Sequence, residues 1–224
     1  MAIVNDLEIL YEDNHIIVVV KRENILSQGD SSGDNSMLEI IKKYIKVKYN
    51  KPGAVYLGLV HRLDRRVSGI MVFAKTSKAA SRLSESIRNN KFIKKYKAIV
   101  YGELNGSGNL VHYLDKKEGR AIESKKNGKE SVLNYNVIKH FTLDNNIFTV
   151  LDINLITGRY NQIRKQLSLI GYPIVNDFKY NYTGKNYDDQ LGLRCYKLSF
   201  PHPITKEILT FEKDYDNLWK DYIK

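Results

Sequence analysis

The chain has 224 residues, 42% hydrophobic and 27% charged, which is long enough for a well-buried core and ordinary for a soluble globular domain. Its longest aliphatic run, Ile16 to Val20, is far too short to span a bilayer, and "MAIVNDLEIL" lacks the basic-then-apolar pattern of a signal peptide. The net charge of +11 favours a polyanionic partner, with nucleic acid ahead of a membrane surface because no basic amphipathic anchor is present.

In chain order, "HIIVVVK" (15–21) reads as a buried strand. "NSMLEIIKKYIKVKY" (35–49) reads as an amphipathic helix capped by Asn35 or Ser36. "YLGLV" (56–60) and "GIMVFAK" (69–75) read as strands, so the intervening "VHRLDRRVSG" is their connecting loop. A helix is expected from Ser77 to Asn89 with Thr76 or Ser77 as its cap. "FIKKYKAIVYG" (92–102) alternates as a strand that puts Tyr96 on the same face as Ala98 and Val100.

Residues 103–130, rich in Gly, Asn and Lys, read as surface hairpins and loops. "SVLNYNVIKHF" and "NIFTVLDINLIT" form a long hairpin through "TLDNN", and "NQIRKQLSLIG" is a helix that stops at Gly171. "LRCYKLSF" and "EILTF" add strands, and "NLWKDYI" is compatible with a last short helix. Strands dominate without strict β-α-β alternation, which predicts an α+β fold with a mainly antiparallel or mixed sheet flanked by helices. No linker-like stretch divides it, so residues 1–224 are expected to form one domain, with a monomer as the default. The single cysteine, Cys195, reads as a buried thiol in a reducing, cytoplasmic compartment, and five scattered histidines indicate no metal site.

Charge is distributed unevenly. Residues 1–40 hold eight acids and two bases, whereas residues 41–100 hold sixteen bases against Asp64 and Glu85. Lysine outnumbers arginine 26 to 10, yet Arg62, Arg65 and Arg66 crowd one loop, and Arg159 and Arg164 share "TGRYNQIR". Arginine offers a planar fork of donors suited to phosphate and a face that stacks on bases.

Asp64 stands alone among these cations and should therefore stay ionised with a lowered pKa. That leaves it the roles of nucleophile, base, metal ligand or structural ion-pair partner. Clustered cations oppose a metal, and glycoside hydrolysis usually needs a second carboxylate, none of which is evident nearby in sequence. Attack at a sugar carbon, or proton removal near it, with the base leaving as a stabilised anion, suits a lone carboxylate. So does a plain loop-bracing ion pair.

"GLVHRLDRRVSGIMVFAK" resembles the signature of the RluA-type pseudouridine synthases, usually written HRLDRDTSGL before a hydrophobic strand. "FIKKYKAIVYGEL" is similar to that family's K-x-Y-x-A-x-V-x-G segment, and "LITGRYNQIRKQLSLIGYPIVND" to its TGR-T-HQIR-VHL…GHPIVGD segment. "LSFPHPITKEILTF" and "ILYEDNHIIVVVKR" are similar to its closing and opening segments, so the matches run in order over roughly residues 7–211.

The resemblance implies a uridine-to-pseudouridine isomerase acting on ribosomal or transfer RNA without a cofactor. It implies that Asp64 initiates N-glycosidic cleavage, either by adding to C1′ or by taking the C2′ proton. Tyr96 would pack on the target base and serve a late proton transfer, and Arg164 would pair with the catalytic carboxylate. Arg62 would contact RNA near the flipped nucleotide, and Arg65, Arg66 and Arg159 could supply phosphate contacts. The chain departs from the pattern at Arg66-Val67, at Tyr160-Asn161, at "VVVKRE" for the Asn-Lys-Pro turn and at "NDFKYN" for GDPLYG, which bears on loop geometry and RNA specificity. The start of the chain is expected to leave no room for a separate N-terminal RNA-binding domain. Two other readings remain at this point, an RNA-binding or RNA-folding protein with vestigial activity and a nucleoside N-glycosidase.

Overall fold

The computed structural model describes residues 7–215 and 219–223. They fall into two compact units, Met1–Phe92 with Lys197–Lys213, and Ile93–Tyr196 with Asp214–Lys224.

In the first unit, β1 (Ile9–Glu12) and β2 (Ile16–Lys21) are antiparallel neighbours. Their turn is held by Asp13, whose carboxylate accepts the backbone N–H groups of His15 and Ile16, both at 2.7 Å. Every residue of β2 and of β4 (Ser68–Ala74) is buried, as a strand covered on both faces requires, and the two pair antiparallel from Ile16↔Ala74 to Lys21↔Gly69. One face of these strands packs Ile16, Val18, Ile70 and Val72 with Ala79 and Leu83, which lie on α2 (Ser77–Arg88). The short β3 (Gly58–Leu59) pairs with the end of β4. A Cβ on Gly58 would stand 2.9 Å from that of Ala80, so only glycine lets β3 lie this close to α2.

The helix α1 (Met37–Lys48) begins in a capping box, in which Ser36 Oγ accepts from Glu39 N and the Glu39 carboxylate accepts from Ser36 N. The helix α2 begins on Thr76, whose side chain accepts from Ala79 N. Both caps were among the residues singled out by sequence. Glu12 carries four donors (Tyr44, Lys48, Tyr49 and Lys75), which outweigh its burial and hold its carboxyl down to about 2. The last part of β10 (Leu193–Pro201) and β11 (Ile208–Glu212) complete this unit as an antiparallel pair.

In the second unit the strand order is β10, β5 (Ile93–Tyr101), β9 (Asn146–Leu155), β8 (Lys129–Leu143), β6 (Ser107–Lys117) and β7 (Arg120–Glu123), β10 entering by its first residues. The ladders β5–β9, β9–β8, β8–β6 and β6–β7 are all antiparallel. The expected long hairpin is β8–β9, turned through Asp144 and Asn145 at φ 50° and 60°, residue types that tolerate the left-handed region. An aromatic-rich core contains Phe148, Tyr182, Tyr187, Tyr215 and Trp219 around Ile99, Val150 and Val175.

The architecture is α+β and mainly antiparallel, as the sequence predicts. Two local expectations change. Residues 103–130 do hold a hairpin, β6–β7, but they are more than surface hairpins and loops, because β6 runs for eleven residues and buries Leu110 and Leu114 by pairing with β8. The strand expected over 56–60 shrinks to Gly58–Leu59. Of the expected terminal helix, α4 (Lys220–Ile223) is present, while 217 and 218 lie outside the described residues. Cys195 is buried; among the described residues no helix is long and apolar enough to cross a membrane, and no group of His, Cys, Asp or Glu is placed to hold a metal.

Candidate active site

The register of β2 against β4 sets the first part of the site. Lys21 ends β2 opposite Gly69, beside the loop that leads into β4. Asp64 to Val67 form a turn closed by Val67 N–H donating to the Asp64 carbonyl at 3.0 Å, and an aspartate opening such a turn is common. The chain on either side of Asp64 is pinned. Ser27 Oγ donates to the Leu63 carbonyl at 2.7 Å and accepts the Leu63 N–H at 3.1 Å. On the other side Lys21 Nζ donates to the carbonyls of Arg65 at 2.9 Å and Arg22 at 3.0 Å. Leu63 and Val67 are buried, so the loop is anchored by packing as well, while Asp64 itself is only half-buried.

The surrounding residues then separate by role. Arg62 is exposed and Arg66 half-buried. Arg65 is half-exposed and reaches Asp34 at 2.7 Å, an ion pair of the kind that contributes little to stability and yields readily to another anion. His61 accepts the Val72 N–H on Nε2 at 3.1 Å, which ties the start of the loop to β4. Val67, the departure from the family's usual threonine, fills the core at 3% exposure.

Lys21 has no exposed surface, and burial pushes its ammonium down to about 7 against the opposing pull of Glu23 and Asp64. Between that value and the ordinary 10.5 the unfolded chain holds a proton that the folded chain does not. Stability from this group therefore rises with pH across that window, and the full cost of burying the charge is present below it. We expect Lys21→Met to remove this slope. In urea titrations at pH 6 and pH 10, the wild type should gain about 4 kcal/mol more than the variant between the two conditions. A difference that does not change with pH would show that Lys21 is not the buried base described.

The second unit carries the other residues. Tyr96 lies on β5 opposite Ile153 of β9 and is 6% exposed. "TGRYNQIR" leads into α3 (Gln162–Leu169) through Asn161, which takes the left-handed conformation at φ 47° and is buried. Gln162 and Gln166 do the positioning. Gln162 Oε1 accepts from Thr157 Oγ1 at 2.8 Å and Arg159 N at 2.9 Å, while its Nε2 donates to Val132 O at 3.1 Å. Gln166 Nε2 reaches Ser131 O at 2.9 Å, fastening the helix to β8. Arg159 is exposed, with its Nε on Glu130 O at 3.1 Å.

Arg164 is buried and forks Asp177, Nε to Oδ2 and Nη2 to Oδ1, both at 2.7 Å. Its guanidinium carbon lies 5.0 Å from the ring centroid of Tyr180. Asp177 is fully buried and was not singled out from the sequence. The available signal was that "NDFKYN" keeps the aspartate of GDPLYG while nearly everything around it changes. Tyr180, on the 3-10 turn Phe178–Tyr180, accepts Ala121 N at 2.8 Å and Asn161 Nδ2 at 2.9 Å on its hydroxyl. Asn161, a departure from the family pattern, is thus bonded to Tyr180, which with Asp177 is what "NDFKYN" keeps of GDPLYG.

Comparison with known proteins bears on the whole chain. The family model described as RNA pseudouridylate synthase matches residues 15–169. Ribosomal large subunit pseudouridine synthase C of Buchnera aphidicola subsp. Baizongia pistaciae (strain Bp) is 31% identical over 236 residues, covering 100% of this chain and 72% of that protein. Synthase D of the same organism is 29% identical over 232 residues, covering 95% of this chain and 71% of its own length. The solved structure of human RNA pseudouridylate synthase domain containing 4 superposes with a TM-score of 0.75 at 21% identity, over 94% of this chain and 89% of that one, a likeness of fold. With the family model spanning residues 15–169 and these relatives matching nearly the whole chain, the protein belongs to the RNA pseudouridylate synthase family, enzymes that isomerise uridine in RNA.

Proposed function

We propose that this enzyme converts uridine to pseudouridine in ribosomal RNA, with Asp64 initiating the reaction. The observation that carries the reading is the loop of Asp64. Its backbone is clamped on both sides by Ser27 and Lys21, while its carboxylate side chain is left half-buried at the turn. Such rigidity is what a group needs if it is to meet a reacting atom at a fixed place. The ribosomal substrate is favoured over transfer RNA by the names of the relatives, ribosomal large subunit synthases C and D.

In this reading the target uridine is extruded from its stack, at a cost of about a few kcal/mol that contacts to flanking phosphates offset. Asp64 then adds to C1′ or takes the C2′ proton, and the C1′–N1 bond breaks with its electron pair going to uracil. Uracil turns within the site, and C5 bonds to C1′ as the Asp64–C1′ bond breaks or, on the other route, as the proton returns to C2′; the proton on C5 then leaves and N1 takes one up. The base ends on the sugar it left, so no leaving group has to be protonated and released, and one carboxylate suffices. Tyr96 packs on the base and takes part in that last proton transfer. Arg164 orients the catalytic carboxylate, and Arg62, Arg65, Arg66 and Arg159 contact RNA. No cofactor enters the scheme, and residues 1–224 act as one catalytic domain, as a monomer in the cytoplasm.

The test uses ribosomal RNA carrying 5-tritiated uridine. Release of tritium without free uracil is expected. Free uracil among the products would make the chain an N-glycosidase, and RNA bound without tritium release would favour the vestigial RNA-binding reading. Release from transfer RNA alone would move the substrate.

A further inference from the structure

Lysine beside tyrosine recurs in this protein, and in most cases a carboxylate completes the group. Lys48 and Lys75 lie over Tyr44 and Tyr49 and share Glu12; Lys97 lies over Tyr196 and pairs with Asp214; Lys185 lies over Tyr187 and pairs with Asp144. The cluster at Tyr160 differs. Lys116 Nζ stands 4.8 Å and Lys179 Nζ 5.6 Å from its ring centroid, and among the described residues neither ammonium has a carboxylate within ion-pair distance.

The geometry is built rather than incidental. The β6–β7 turn passes through Glu118 and Gly119 at φ 47° and 70°, the two-residue turn that demands left-handed backbone at both positions. The carbonyl of Gly119 accepts both the Tyr160 hydroxyl at 2.9 Å and Lys179 Nζ at 2.6 Å, so one turn fixes the ring and one of its cations together. Lys179 also lies 5.7 Å from the Tyr180 ring. Lys117 and Arg120 face each other across the same turn, and both are exposed.

Two ammoniums drawn to one tyrosine ring repel each other, and the ring quadrupole offsets that only in part. An incoming anion would resolve the repulsion, and an ammonium has donors to spare for phosphate oxygens. We propose that Lys116, Tyr160 and Lys179 form a phosphate-binding contact for the RNA backbone, additional to the arginines named above, in which Tyr160 organises the two lysines. The proposal rests on the RNA-modifying reading. Tyr160 is also one of the positions where this chain leaves the family pattern, so the contact is a feature of its own substrate recognition.

The experiment measures ribosomal RNA binding by the full chain against salt, with single-turnover tritium release at saturating RNA alongside. Lys116→Ala/Lys179→Ala should weaken binding about tenfold or more and flatten the slope of log affinity against log salt by about 1.4 to 1.8, with the single-turnover rate within about twofold of wild type. Tyr160→Phe, which loses only the anchor to Gly119, should lie between the two. A control, Lys206→Ala/Lys220→Ala, removes equal charge elsewhere and should change the slope by much less. An unchanged slope in the Lys116/Lys179 variant, or an equal change in the control, would overturn the assignment. So would a polyglutamate chain that competes as well as RNA, which would give the cluster to an acidic protein. Failure of the wild type to release tritium would instead count against the proposed reaction, since the binding slopes are read without turnover.

Discussion

Asp64→Asn is expected to lower tritium release by about 10³-fold or more while leaving RNA affinity within about threefold. The amide keeps the size of the carboxylate, so the turn closed between Val67 and the Asp64 carbonyl has no reason to open. It cannot act as a base or stable nucleophile, so the loss falls on the chemical step. The clamps at Leu63 and Arg65 act on backbone groups and do not depend on the Asp64 side chain, so the folded loop should survive. Single-turnover kinetics and a salt-matched binding assay separate the two quantities. Full activity in the variant would remove Asp64 from the reaction, and a fall in affinity equal to the fall in rate would make it a binding residue.

The second large effect concerns Arg164 and Asp177. The pair is buried and bidentate, so removing either side chain takes away the two short hydrogen bonds that offset the burial of the charge left behind. Asp177→Ala and Arg164→Met should each cost about 3 to 5 kcal/mol in urea unfolding. The double variant should cost clearly less than the sum of the singles, with a coupling of about 2 to 3 kcal/mol. A strictly additive cycle would mean the two side chains do not act as a pair. Arg164→Lys retains the charge but not the fork, so it should recover part of the stability and little of the rate. That split between stability and turnover is what a positioning role predicts and a purely structural one does not.

Much of the fold was legible because it rests on short-range signals. The N-caps Ser36 and Thr76, the apolar runs Ile16–Val20 of β2 and Ile70–Ala74 of β4, and the two-residue turn at Asp144 and Asn145 each declare themselves within a few positions. The β6–β7 hairpin was legible, but the length of β6 and its burial were not. Its segment is rich in glycine, asparagine and lysine, with no run of β-branched residues, and its extended form comes from the ladder with β8 rather than from its own propensity. The two-residue β3 was overestimated for the converse reason, since "YLGLV" has strand composition but only Gly58 and Leu59 find a partner.

The sequence by itself determined the chemistry on offer at the site, since one carboxylate among arginines in a loop, a strand tyrosine and an arginine at the head of a helix are properties of short segments. Only the tertiary structure decided how those groups are held. Lys21 meets the carbonyl of Arg65 across 44 positions, and Tyr160 meets Gly119 across 41. Arg164 finds its fork in Asp177, beyond the helix that carries it. Such pairings follow from strand register and chain reversal, which bring together residues whose own neighbours in sequence carry no sign of the partner. The positions that looked like departures, Tyr160, Asn161 and "NDFKYN", are where this shows most. Read singly they were losses from a pattern, whereas folded Asn161 bonds the retained Tyr180 and both Tyr160 and Lys179 bond the β6–β7 turn, because a buried or half-buried polar group must find a partner wherever the fold supplies one.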